Sequence, residues 1–114
     1  MKLLVTGGAG FIGSCLVRHL LRPELRALVS EVVVLDKFTY AGHRGNLASA
    51  IDDRRLTVVV GDIGDVPLVD QLMANVDRVL HLAAETHVDR SIEDALNFID
   101  TNVRGTYVVL DAAR

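Results

Sequence analysis

Short apolar runs and longer amphipathic stretches take turns along this chain. Leu3-Leu4-Val5, Val32-Val33-Val34-Leu35, Leu56 with Val58-Val59-Val60, and Val76 with Val79-Leu80 are compact and made of leucine and valine. Such runs predict strands buried on both faces, as in a parallel sheet. They place strands at 2–6, 31–36, 56–61 and 77–82. Between them the apolar positions recur at helical spacing: Phe11-Ile12, Cys15-Leu16 and His19-Leu20, then Leu68-Val69 and Leu72-Met73 after Pro67, a good first-turn proline. The last helical pattern is the longest. Ile92, Ala95-Leu96, Ile99, Val103, Tyr107, Leu110 and Ala113 lie on one stripe, with Asp94, Asp100, Arg104 and Asp111 off it.

Strand and helix alternating in this way predict βαβ units with right-handed crossovers, an α/β fold with a parallel sheet. With 114 residues, half of them hydrophobic and 24% charged, the chain is expected to be one soluble domain. A net charge of −3 with acids and bases mixed argues against nucleic acid as a partner. No apolar run approaches the ~20 residues that span a bilayer, and the N-terminus enters a strand pattern at once, so neither a membrane span nor a signal peptide is expected. One cysteine, Cys15, allows no internal disulfide and suggests a reducing cytoplasm.

The chemistry begins directly after the first strand. Thr6-Gly7-Gly8-Ala9-Gly10-Phe11-Ile12-Gly13 has glycines at 7, 10 and 13. In the strand–loop–helix order of a Rossmann dinucleotide fold, Gly7 turns the chain out of the strand, Gly10 leaves room for a pyrophosphate, and Gly13 lets the helix pack closely. The helix N-terminus offers free N–H groups and partial positive charge to phosphates. Asp36, at the end of the second strand and 23 residues past Gly13, stands where an acid accepts the adenosine ribose hydroxyls and repels a 2′-phosphate. NAD is therefore expected over NADP, with Lys37 as a neighbouring cation that could soften the preference; the plainer role for Asp36 is a strand-end turn. Asp62, closing the third strand before Ile63, suits either the adenine edge or, with Asp65 as the other candidate, a helix N-cap.

The stretch His81-Leu82-Ala83-Ala84-Glu85-Thr86-His87-Val88-Asp89-Arg90-Ser91 is small and then unusually polar where the fourth strand ends. Open α/β sheets place ligands at such carboxyl ends. Thr86 and His87 are the ligand candidates, while Asp89 and Arg90 read as scaffold: an ion pair of Glu85 or Asp89 with Arg90, capped by Ser91, is the structural alternative. His81 and His19 receive no role, and no set of His, Cys and carboxylates has metal-ligand spacing.

These motifs resemble the extended short-chain dehydrogenase/reductase family, and within it the N-terminal portion of the dTDP-glucose 4,6-dehydratases. The resemblance rests on residues 4–13, Asp36-Lys37-Phe38-Thr39-Tyr40-Ala41-Gly42, Gly61-Asp62-Ile63, residues 81–91, and Thr101-Asn102-Val103-Arg104-Gly105-Thr106, and so covers nearly the whole chain. His43 departs from the family pattern, which has Asn there. The resemblance implies a doubly wound parallel sheet with strand order 3-2-1-4, ending after the helix that follows the fourth strand. It puts Phe11 and Ile12 at the NAD pyrophosphate, Asp36, Lys37, Phe38 and Thr39 on the ribose side, and Asp62 and Ile63 at the adenine. Leu82, Ala83, Ala84, Glu85 and Thr86 run toward the nicotinamide, Thr86 and His87 reach the sugar, and Thr101 faces the cofactor.

The family oxidises the glucose C4 hydroxyl by hydride transfer to NAD, eliminates water across C5 and C6, and returns the hydride to C6. Its Tyr-x-x-x-Lys and Asp-Glu groups have no counterpart here: neither Tyr40 nor Tyr107 has lysine four residues on. Residues 1–114 are thus expected to bind cofactor and part of the sugar site and, alone, to be inactive. The complete protein is expected to be a homodimeric lyase acting on a nucleotide sugar. The alternatives are a sugar-nucleotide epimerase or decarboxylase, or an NAD-binding module without catalysis.

Overall fold

The computed structural model describes residues 1–38, 44–85 and 92–114. Four strands, β1 (Lys2–Thr6), β2 (Glu31–Asp36), β3 (Leu56–Val60) and β4 (Arg78–His81), form one parallel sheet in the order β3-β2-β1-β4. This is the doubly wound arrangement expected from the sequence. The first two strands fall where the apolar runs placed them. β3 and β4 are shorter than expected, yet the ladder continues past their ends. Gly61 N–H donates to the Asp36 carbonyl (3.0 Å), Asp77 N–H to Lys2 (2.8 Å) and Leu82 N–H to Thr6 (3.0 Å), so the difference lies in where a strand terminus is drawn.

Both faces of the central strands are covered, which is why their sequences do not alternate. Leu3, Val5, Val32 and Val34 pack on one face with Val17 and Leu21, and with Leu47 and Ala50 of a 3-10 segment, Arg44–Ala50. Leu4, Val33 and Leu35 pack on the other with Val69, Val108 and Val109. Helix α1 (Phe11–Leu20) supplies the first layer. Helix α2 (Val66–Met73) supplies part of the second; Asp65 caps it by accepting from Leu68 N–H (3.3 Å), so the N-cap is Asp65 and not Asp62.

The long helix expected after β4 is not continuous. Helix α3 (Ala95–Ile99), capped by Asp94, runs into a π-helical turn at Asp100–Gly105 and continues as α4 (Thr106–Ala113). The buried side of this rod is Gly105, Val108 and Val109. A Cβ on Gly105 would lie 2.5 Å from Ile63 Cδ1, so the small residue lets the rod settle onto the sheet. The apolar stripe read from the sequence faces outward: Ile92, Leu96 (81% exposed), Ile99, Val103, Tyr107 and Leu110 are all solvent-exposed. Among the described residues no helix is long and apolar enough to cross a membrane.

Arg55 ties the sheet's far end together. Its guanidinium donates to the Leu21 carbonyl at the C-terminus of α1, to the Val29 carbonyl (3.5 Å) and to Asp53 (3.0 Å). The guanidinium and the backbone N–H of Arg55, both bonded to Asp53, hold the Asp53 carboxyl below its ordinary range. A depressed carboxyl stabilises the fold above its unfolded value and loses that contribution as pH falls through the folded one. Arg55→Met should lower the unfolding free energy by about 1–3 kcal/mol and weaken the loss of stability below about pH 4, both read from urea unfolding across pH.

Candidate functional site

The loop from β1 to α1 is built on a close approach. Gly7 has φ +69°, a left-handed conformation that side chains rarely adopt. A Cβ there would also lie 2.6 Å from the Ala83 nitrogen, inside backbone just past β4. Gly7 N–H donates to the Leu35 carbonyl (2.8 Å), which fixes the turn against β2. Gly13 is demanded by the loop itself rather than by the sheet: its Cβ would meet the Gly7 carbonyl oxygen at 2.1 Å. Gly10 has ordinary extended dihedrals, so its backbone alone does not require glycine; it lines the cleft described below. No side chain caps α1, which leaves its first-turn N–H groups to a ligand or water. Asn46 steadies the loop by donating to the Ala9 carbonyl (2.8 Å).

Asp36 is buried at the end of β2. It accepts from Ala9 N–H (2.9 Å) and from Phe38 N–H (2.8 Å), so loop and strand hold one carboxylate between them. Phe38 takes a positive φ of 55° and turns its ring under the Arg44 guanidinium, 4.8 Å from the ring centre. Beyond the neighbouring strand β3, Asp62 accepts from Gly64 N–H (2.8 Å) and pairs with the Lys37 ammonium (3.2 Å). Burial pushes the Asp62 carboxyl up, but the Gly64 N–H and Lys37 more than offset it and hold it below the usual carboxylate range.

A hydrogen-bonded chain behind the cleft was invisible in the sequence. Thr6 Oγ1 accepts from the N–H groups of Leu82 (3.2 Å) and Ala83 (3.3 Å), so its proton goes to His81 Nδ1 (2.6 Å). The other ring nitrogen then donates to Thr106 Oγ1 (3.1 Å), and Thr106 donates to the Asn102 carbonyl (2.8 Å). Burial pushes the His81 imidazole down, in keeping with a neutral ring. Asn102 brackets the Glu85 backbone, accepting from its N–H (2.8 Å) and donating to its carbonyl (2.9 Å). His81, for which the sequence suggested no role, thus links β1, β4 and α4.

These elements surround an open cleft at the carboxyl ends of the strands. Of the residues singled out in the sequence, Gly7, Gly10, Asp36, Lys37, Asp62, Ile63, Leu82, Ala83, Ala84, Glu85 and Thr101 line it, and Leu35 and Gly61 join them. Phe11 (90% exposed) and Ile12 do not; their side chains face outward with Cys15 and His19. Gly13 and Phe38 stand behind the lining as supports. Thr39, His43, Thr86, His87, Asp89, Arg90 and Ser91 lie outside the described residues.

The family model described as GDP-mannose 4,6 dehydratase matches residues 4–114. The chain belongs to this dehydratase family. Among similar proteins, a dTDP-glucose 4,6-dehydratase of Streptomyces antibioticus is 57% identical over 115 residues, covering 99% of this chain and 33% of the relative. A dTDP-glucose 4,6-dehydratase of Streptomyces venezuelae, crystallised with NAD and TYD bound, superposes with a TM-score of 0.92 at 53% identity, over 99% of this chain and 35% of that one. A Thermus thermophilus UDP-glucose 4-epimerase in complex with NAD gives 0.79 at 35% identity, over 98% and 33%. The chain therefore spans about a third of the length of the relatives it matches.

In this dehydratase-family chain the glycines of the loop differ in what they guard, and unfolding experiments should separate them. Gly7→Ala meets both the left-handed backbone and the Ala83 backbone, and should lose more than about 2 kcal/mol of stability. Gly10→Val, at an ordinary φ, should change stability by less than about 1 kcal/mol. Thermal unfolding of the two variants beside the parent protein checks the order.

Proposed function

We propose that this chain is the N-terminal, NAD-holding part of a dTDP-glucose 4,6-dehydratase, a lyase that converts dTDP-glucose to dTDP-4-keto-6-deoxyglucose and water. The observation that carries the reading is the convergence of the β1–α1 loop, Asp36 and Asp62 on one cleft at the carboxyl ends of the strands. That cleft fits the cofactor by chemistry as well as place. An uncapped helix end suits a pyrophosphate, a buried acid suits ribose hydroxyls, and a second acid beside Ile63 suits the amine edge and face of an adenine.

In this reading Gly7, Gly10 and Gly13, with the main chain of Phe11 and Ile12, hold the pyrophosphate. Asp36, Lys37, Phe38 and Thr39 hold the ribose, and Asp62 and Ile63 the adenine. Leu82, Ala83, Ala84, Glu85 and Thr86 extend toward the nicotinamide with Thr101 opposite, and Thr86 and His87 reach the sugar. NAD bound there supplies the oxidant for the sugar C4 hydroxyl. The residues of this chain position and shield the cofactor. The epimerase reading shares the cleft, but the dehydratase structure superposes more closely, which favours dehydration.

We further propose a homodimer. Its support is the exposed stripe from Ile92 to Leu110 along α3, the π turn and α4, a contiguous apolar face of the kind that marks protein contacts. A cytoplasmic location accords with the free, exposed Cys15.

Three measurements on the full-length protein test these readings. NAD should bind at least about tenfold tighter than NADP, and Asp36→Ala should erase that preference; equal affinities in the parent would overturn it. Gly10→Val should fold yet bind no NAD, and turnover of dTDP-glucose by the parent protein decides between dehydratase and epimerase. Val103→Asp with Leu110→Asp should convert the dimer to monomer in sedimentation, whereas a parent that sediments as monomer would end the dimer reading.

A further inference from the structure

Three charged side chains stand together at one end of the cleft, and their pairing is unequal. Asp36 is buried and held from within the loop, through Ala9 N–H on one oxygen and Phe38 N–H on the other. Lys37, the next residue along the chain, is half exposed and lines the same cleft. A free lysine beside the ribose acid would attract a 2′-phosphate and work against Asp36. Lys37 is not free. Its ammonium lies 3.2 Å from Asp62 Oδ2, just past the end of the neighbouring strand β3. Asp62 cannot swing toward another partner cheaply, because its Oδ1 accepts from Gly64 N–H at 2.8 Å. Of the other cations nearby, Arg104 is engaged by Asp100 (3.4 Å) and by the Gly64 carbonyl (3.3 Å), and Arg44 lies over the Phe38 ring, 4.8 Å from its centre.

We propose that Asp62 is a specificity-determining residue: by pairing with Lys37 and offsetting its charge, it withholds from NADP a cation that could receive the 2′-phosphate. The proposal rests on the NAD reading above and extends it. Discrimination against NADP is then the work of two carboxylates with different tasks. Asp36 repels the phosphate directly. Asp62 keeps the lysine occupied. That Asp62 stays ionised across the neutral range accords with the Gly64 and Lys37 contacts that hold its carboxyl low. Because Asp62 also borders the adenine subsite, any contact it makes there is common to NAD and NADP and cancels in the ratio of their affinities.

The test is a double-mutant cycle on the full-length protein, with NAD and NADP dissociation constants measured by calorimetric titration. Asp62→Asn keeps the size of the side chain and an acceptor for Gly64 N–H while removing the charge that holds Lys37. It should reduce the preference for NAD over NADP by about three- to tenfold, the net effect of one hydrogen bond partly exposed to water. In a Lys37→Ala background the same substitution should leave the preference unchanged within about twofold. A preference unaltered by Asp62→Asn, or altered equally with and without Lys37, overturns the proposal while leaving NAD binding intact. A parent protein that binds neither dinucleotide overturns the cofactor reading and this inference with it.

Discussion

Everything at the cleft depends on how closely the backbone leaving β1 passes the backbone leaving β4. At Gly7 the two chains approach so tightly that a single Cβ would penetrate the Leu82–Ala83 peptide. This closeness lets the turn out of β1 point its following helix at the strand ends instead of running over them. It also brings Ala83 and Ala84, small residues beyond β4, to the lip of the same cleft. A larger residue at Gly7 would push the loop away from β4 and separate the two walls.

Polar groups that the close approach buries are satisfied in a connected way, as buried polar groups must be. Thr6 accepts two backbone N–H groups from the crossing point and donates to His81, which donates to Thr106, which in turn donates to the Asn102 carbonyl in the π turn. Asn102, in that turn, holds the Glu85 backbone on both sides. The π turn widens the helix where Thr101 lines the cleft and Asn102 reaches the chain beyond β4. Such local widening is a recurrent feature of functional helices. The helix and the strand end are thereby fixed to each other by hydrogen bonds rather than by bulky packing, which leaves the space between them open.

The outer side of the same helical rod is another matter. Val108, Val109 and Gly105 satisfy the sheet, and the stripe through Leu96, Val103 and Leu110 is left over. A helix apolar on most of its circumference has two partners to serve. Periodicity finds such a stripe, but it cannot tell which of two apolar sides meets the chain's own core.

Much of this architecture was legible in the chain itself. Runs of valine and leucine with no alternation read as strands covered on both faces, which holds for β1 and β2 but not for the edge strands β3 and β4, whose residues are only partly buried; the spacing of Gly7, Gly10 and Gly13 after the first of them specifies a turn, an open place and a tight helix start. Asp36 was legible because an acid at the end of a strand is a local feature. The acid at the end of the third strand was not decided: Asp62 and Asp65 are chemically equal in sequence, and only the path of the chain into α2 gave the cap to Asp65 and left Asp62 facing Lys37. Nor could sequence show His81 between Thr6 and Thr106, residues 75 and 25 positions away. Local order along a chain determines dihedrals, periods and caps. Which polar groups meet across strands and helices depends on how the layers dock, and that is settled only when the whole sheet is assembled.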